Sequence, residues 1–135
     1  MIKGSCLCRS VKFEINGPVE QSRYCHCENC RKFSGTAQSA WGLTATSAFT
    51  LTTPNAKLTK FDAGSGGLRT FCAVCGSPLW FEPAQMPEFR GIALGAIDEG
   101  EVSAPAAHWW TRSSPEWETI EGDLPQFETI PAKAN

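Results

Sequence analysis

The sequence has no long apolar run, no excess of charge of either sign and no extended stretch of helical period. Its uninterrupted apolar stretches are only a few residues long, far short of the roughly 20 a bilayer-crossing helix requires. That excludes a transmembrane helix. Twelve Lys and Arg against 14 Asp and Glu leave a formal charge of −2, which gives no electrostatic footprint for duplex nucleic acid or an anionic membrane. The first residues, Met1-Ile2-Lys3-Gly4-Ser5-Cys6, lack an apolar core of the signal-peptide kind, so no secretory signal is expected and the expected location is the cytoplasm. Gly64-Ser65-Gly66-Gly67 is glycine-rich, yet no Lys-Ser/Thr follows and no helical pattern opens after it, which excludes a phosphate loop. A flexible hairpin turn is the better account.

What is present is enough for a core. Hydrophobic residues make up 41% and charged residues 19% of 135 positions, which predicts one folded domain. Residues 1–128 are expected to form it, with a flexible tail over 129–135.

The cysteines stand out. There are 7, at positions 6, 8, 25, 27, 30, 72 and 75, each within three residues of another. In a reducing compartment such clustered thiols point to metal rather than to disulfides, and an odd total leaves one thiol over in any fully bridged scheme.

Short segments rich in Thr, Val, Ile and aromatics, punctuated by Gly, Pro, Asp and Ser, predict a mainly β fold. Val11, Phe13 and Ile15 alternate with Lys12 and Glu14, and the first Cys pair is expected at the start of that strand. Further strands are expected over 19–25, 39–43, 49–52, 57–61, 68–71, 78–81, 92–97 and 108–111. Glu28 to Phe33 reads as a helical turn that Gly35 can cap. The region from Ser113 carries Trp117, Leu124 and Phe127 as anchor candidates.

Cys6-Leu7-Cys8 and Cys25-His26-Cys27 put two thiols two residues apart, on one face of an extended chain. Cys72-Ala73-Val74-Cys75-Gly76 is a C-x-x-C knuckle of the structural-zinc kind. Cys25, Cys27 and Cys30 form a compact local trio, which leaves Cys6, Cys8, Cys72 and Cys75 for a closed structural Zn²⁺. Three ligands leave one coordination position open, the mark of a reactive rather than a structural site. A fourth sulfur suits it, because a thiol bound to zinc is deprotonated near neutral pH. The trio is therefore the candidate catalytic centre, with Arg31 and Lys32 positioned to offset its charge.

At these residues the sequence resembles a known family. Gly4-Ser5-Cys6-Leu7-Cys8, Tyr24-Cys25-His26-Cys27-Glu28-Asn29-Cys30-Arg31-Lys32, Ser34-Gly35 and Phe71-Cys72-Ala73-Val74-Cys75-Gly76-Ser77-Pro78-Leu79 are similar to the hallmark segments of the glutathione-dependent formaldehyde-activating enzymes, a group that includes the centromere protein V type. His108-Trp109-Trp110, Trp117 and Leu124-Pro125-Gln126-Phe127 resemble its C-terminal pattern more weakly. The resemblance implies bent antiparallel sheets stapled by a four-cysteine zinc site, as in methionine sulfoxide reductase B. It also implies the same partition of the cysteines. The implied activity is that of a carbon–sulfur lyase, joining glutathione to formaldehyde as S-(hydroxymethyl)glutathione. Its partners would be a small thiol and a small aldehyde.

Backbone N–H groups near Ser34 and Gly35, with Arg31, are the expected glutathione-binding residues. His26 and His108 are expected to serve packing or hydrogen bonding before catalysis, since His26 points away from its flanking cysteines on an extended chain. Two alternatives stand beside this reading: a non-catalytic zinc module that binds another protein, and the same chemistry on another thiol or aldehyde.

Overall fold

The computed structural model describes residues 1–131. In chain order the strands are β1 (Ile2–Ser5), β2 (Lys12–Ile15), β3 (Glu20–Cys25), β4 (Ser39–Ala45), β5 (Phe49–Leu51), β6 (Leu58–Asp62), β7 (Leu68–Cys72), β8 (Pro78–Glu82), β9 (Phe89–Ala93), β10 (Ile97–Glu99) and β11 (His108–Trp109), with one α-helix, α1 (Glu28–Ser34), after β3. They make two sheets, a four-stranded one in the order β10-β1-β2-β5 and a seven-stranded one in the order β11-β3-β4-β9-β8-β7-β6. Only β11 runs parallel to its strand neighbour, β3; the other pairings are antiparallel. The fold is mainly β, as the composition predicts.

Alternation explains the main core. Phe13 and Ile15 of β2 and Ile2 of β1 turn inward against Cys72, Trp80 and Ile92 of the larger sheet. Phe13 meets the Trp80 ring edge-on, with centroids 6.1 Å apart. Each such side chain contributes about 1.5–3 kcal/mol on burial.

The other face of the larger sheet carries a second cluster. Strand register aligns Arg23 with Trp41 and Trp41 with Ala93, then Gly91 with Phe81 and Phe81 with Arg69. Cys25 shares that face two residues after Arg23. Helix α1 lies over it, with Phe33 stacked on Trp41 at 6.1 Å. Gly35 ends the helix in the left-handed conformation, φ 66°, and its N–H bonds to the Arg31 carbonyl. The cap expected there is formed.

Several local expectations are corrected. Ile2–Ser5 is a strand of its own; four residues with a central glycine give too short an alternation to read from sequence. The glycine is required, because a Cβ on Gly4 would fall 2.2 Å from the Phe13 ring. Cys6-x-Cys8 lies not on a strand but in the turn after β1, where the Arg9 N–H bonds to the Cys6 carbonyl at 3.0 Å. Same-face residues of a strand stand about 6.6 Å apart along it, and the turn draws the two sulfurs closer. The segment 92–97 is not one strand: a 3-10 turn, Leu94–Ala96, hands the chain from β9 in one sheet to β10 in the other.

Trp117 is 74% exposed and anchors nothing. The C-terminal region is held by its backbone instead, through Phe127 N–H to the His108 carbonyl at 2.8 Å and Trp110 N–H to the Thr129 carbonyl at 2.9 Å. Of the tail expected to be loose, 132–135 lie outside the described residues, while Thr129 is tied to Trp110.

Candidate active site and metal centre

The seven thiols gather into two groups, Cys6, Cys8, Cys72 and Cys75 in one and Cys25, Cys27 and Cys30 in the other, with sulfurs within 4.8 Å of one another in each. In the first, the Cys6 and Cys8 sulfurs are 3.6 Å apart and those of Cys8 and Cys72 3.8 Å apart. A tetrahedral ion with metal–sulfur bonds of about 2.3 Å needs sulfurs separated by about 3.8 Å. The four cysteines therefore fit one ion. Neutral donors surround them: Val11 N–H reaches Cys6 at 3.3 Å and Val74 N–H reaches Cys72 at 3.4 Å. The Ser10 and Ser77 hydroxyls lie 3.0 Å from Cys8 and 3.1 Å from Cys75.

The trio is local. Cys25 closes β3, Cys27 caps α1, and Cys30 sits one turn into the helix, its N–H bonded to the Cys27 sulfur at 3.3 Å. Cys25 and Cys30 are buried and Cys27 is half-buried. The three thiols share protons unequally. Hydrogen bonds from Cys25 and Cys27, with the Arg69 guanidinium next, hold Cys30 well below the usual thiol range. Those same bonds to Cys27 and Cys30, with burial, push Cys25 up.

A cavity of about 500 Å³ opens beside the trio, within the range of ligand pockets. Its walls include Trp41, Phe81, Trp109 and Trp110, with Ser65 and Gly66 of the β6–β7 hairpin turn at the rim. Arg23 and Arg69 also line it, and they are only 7% and 5% exposed. Arg69 Nη1 lies 3.6 Å from the Cys30 sulfur, and its Nε donates to the Gly66 carbonyl at 3.0 Å. Its guanidinium carbon is 4.9 Å from the Phe81 ring centre and 5.6 Å from that of Phe33. Arg23 rests over the Trp109 ring at 4.5 Å. The described ion pairs involve neither arginine.

The profile of the glutathione-dependent formaldehyde-activating enzyme family matches residues 1–113. The chain belongs to this family. A Halomonas elongata protein, provisionally named as a glutathione-dependent formaldehyde-activating enzyme, is 32% identical over 129 residues, covering 90% of this chain and 82% of the relative. An uncharacterised lyase of Schizosaccharomyces pombe is 28% identical over 79 residues, covering 58% of this chain and 56% of that protein. A crystal structure of a Rhodobacter sphaeroides protein superposes with a TM-score of 0.63 at 20% identity, over 92% of this chain and 98% of its own. That likeness is one of fold.

Within this member of the formaldehyde-activating family, the residues expected to bind glutathione do not all meet at the trio. Ser34 lines a separate depression of about 500 Å³, shared with Ser5, Arg9, Ser39, Ser77 and Asp98. Gly35 is spent as the helix cap. Arg31 lines neither cavity, and its Nε is buried without a partner. Lys32 pairs with Glu28 at 3.3 Å. The cations at the sulfurs are instead Arg69 and Arg23, which sequence reasoning passed over. A signal for Arg23 existed: it stands two residues before Cys25 on one strand, hence on the same face. Arg69 lies 39 positions from Cys30, and only the packing of α1 across the sheet joins them.

His26 is fully buried, with Nε2 2.9 Å from Nδ1 of buried His108. Burial lowers the affinity of both rings for a second proton. The pair ties the Cys25-His26-Cys27 stretch to β11 and faces away from the cavity, whose walls include neither histidine.

Proposed function

We propose that this chain joins glutathione to formaldehyde as S-(hydroxymethyl)glutathione and cleaves the same carbon–sulfur bond in reverse. Cys25, Cys27 and Cys30 hold a catalytic zinc, and Cys6, Cys8, Cys72 and Cys75 hold a structural one. The observation that carries the reading is the inequality of the two thiol groups: four sulfurs close on one another at tetrahedral spacing, whereas three converge at the edge of a cavity. When bound by the trio, zinc supplies one thing, a fourth position at which a sulfur ligand stays deprotonated at neutral pH.

The chain's residues do the rest. The aromatic walls exclude water and hold the thiol close to the trio, which turns a two-molecule encounter into a positioned one. Arg69, against Cys30, offsets the negative charge that gathers on the sulfurs. The substrate thiol gives up its proton, its sulfur electron pair forms the bond to the formaldehyde carbon, and the carbonyl π pair moves onto oxygen. That oxygen then takes a proton, so atoms and charge balance. The thiol–aldehyde addition proceeds uncatalysed, so proximity and an available thiolate account for the acceleration required. Seven cysteines without a disulfide suit a reducing compartment, and the reading places the chain in the cytoplasm.

The test is exchange spectroscopy by nuclear magnetic resonance on formaldehyde and glutathione, with wild type beside Cys27→Ser. Faster exchange with wild type and none beyond background with the variant is expected. Equal rates for both would overturn the assignment.

A further inference from the structure

The two cavity arginines are not equivalent. Arg69 is committed to the protein through the Gly66 carbonyl, the Cys30 sulfur and three aromatic rings. Arg23 is not. Its Nη1 makes one bond, to the Gln21 carbonyl at 3.3 Å, and its Nε is buried without a partner. The backbone is bent to achieve this placement. Gln21 adopts a left-handed conformation, φ 51°, at the irregularity between β3 and β4, so that Ser22 and Arg23 are both buried although adjacent in sequence.

A buried guanidinium with spare donors and no carboxylate is costly unless a ligand completes it. Glu28 lines the same cavity, but it is exposed and paired with Lys32 at 3.3 Å. Register sets Trp109 beside Cys25, so the ring under Arg23 and the trio share one frame. Along β3, Arg23 and Cys25 are about 6.6 Å apart, which suits a ligand with sulfur at one end and an anionic group a few bonds away.

We propose that Arg23 sets the substrate class: it pairs with a carboxylate of the incoming thiol, so the site selects acidic thiols, glutathione among them, over neutral ones. The proposal rests on the thiol-capturing role of the trio, and the test separates the two. Trp41, Trp109 and Trp110 line the cavity, so quenching of their fluorescence reports binding without turnover. Zinc-loaded protein, purified without chelator, is titrated with 3-mercaptopropionate and with its neutral amide. Wild type should bind the acid roughly ten- to a hundredfold more tightly, as expected for a charge-assisted pair. Arg23→Gln should make the two affinities equal, and Arg23→Lys should keep part of the difference. The wild-type comparison reads the selectivity without a variant. Because Arg69 lines the same cavity, a preference reduced in Arg23→Lys assigns it to Arg23 should Arg23→Gln fail to fold, while an undiminished one there overturns the proposal. Equal binding of acid and amide by wild type, or an undiminished preference in Arg23→Gln, overturns the proposal and leaves thiol capture standing. Binding of neither thiol overturns thiol capture itself, and the proposal with it.

Discussion

The two cysteine groups use one element in opposite ways. Cys6 and Cys8 follow β1 of the smaller sheet, while Cys72 ends β7 of the larger and Cys75 lies in the turn beyond it, with Cys8 and Cys72 separated by 64 positions. An ion there closes a long loop and pins one sheet to the other. The trio spans only the junction of β3 and α1, closes no loop of consequence, and is already framed by a sheet and a helix. Their surroundings differ as well. Backbone N–H groups and serine hydroxyls meet the first group, whereas the second, beside one backbone N–H, meets a guanidinium and an indole-lined cavity. On the proposed reading, long-range ligation by four thiolates with neutral donors around them makes a staple. On the same reading, local ligation beside cations and a cavity makes a reactive surface, and the fold is expected to survive its loss.

The sharpest way to break this contrast is to remove one sulfur from each group. Cys72→Ser should abolish folding, because a four-thiolate site contributes on the order of 10 kcal/mol, comparable with the whole net stability of a domain. A cooperative melt near the wild-type temperature would show that the staple reading is wrong. Cys27→Ser should keep that melt while formaldehyde–glutathione exchange falls to the uncatalysed background. Metal analysis should drop from two zinc ions per chain to one; a variant that retains both ions contradicts the partition. Arg69→Met removes the cation at Cys30 and its contacts with three rings. Exchange should slow roughly tenfold, with about 1–3 kcal/mol lost in denaturant unfolding. An unchanged rate would reduce Arg69 to a packing residue. The smallest effect is expected for His108→Phe, which strands the buried Nε2 of His26 at a cost of about 1–3 kcal/mol. Thermal melting should shift by several degrees with metal content unchanged; loss of the second zinc would instead make the histidine pair part of the ligand frame.

Much of the candidate site was legible because it is built from a rare residue at short spacing. Seven thiols in tight clusters, a C-x-x-C knuckle and Gly35 as helix stop are local signals, and each appears where the pattern puts it. The arginines were not legible. Arg31 and Lys32 adjoin Cys30 in the chain, but a helix turns successive side chains about 100° apart, and neither one lines the trio's cavity. Arg69 on β7 stands four strands away from β3 in the sheet order, and it meets Cys30 only because α1 lies across that face, with Phe33 against both Trp41 and Phe71. The break at Leu94–Ala96 was hidden for a related reason. Ile92 and Ile97 look like one strand because both are apolar and none of the residues between them, Ala93-Leu94-Gly95-Ala96, is polar, and nothing local says that the chain changes sheets there.

Gly91 carries a consequence for the cavity. A Cβ at that position would fall 2.0 Å from the Phe81 ring, which lies over it and walls the space beside the trio. A methyl group there has to be accommodated by displacing the ring, and that ring is part of the cavity wall. The room above the sulfurs is therefore set from beneath, by a residue that no ligand ever meets.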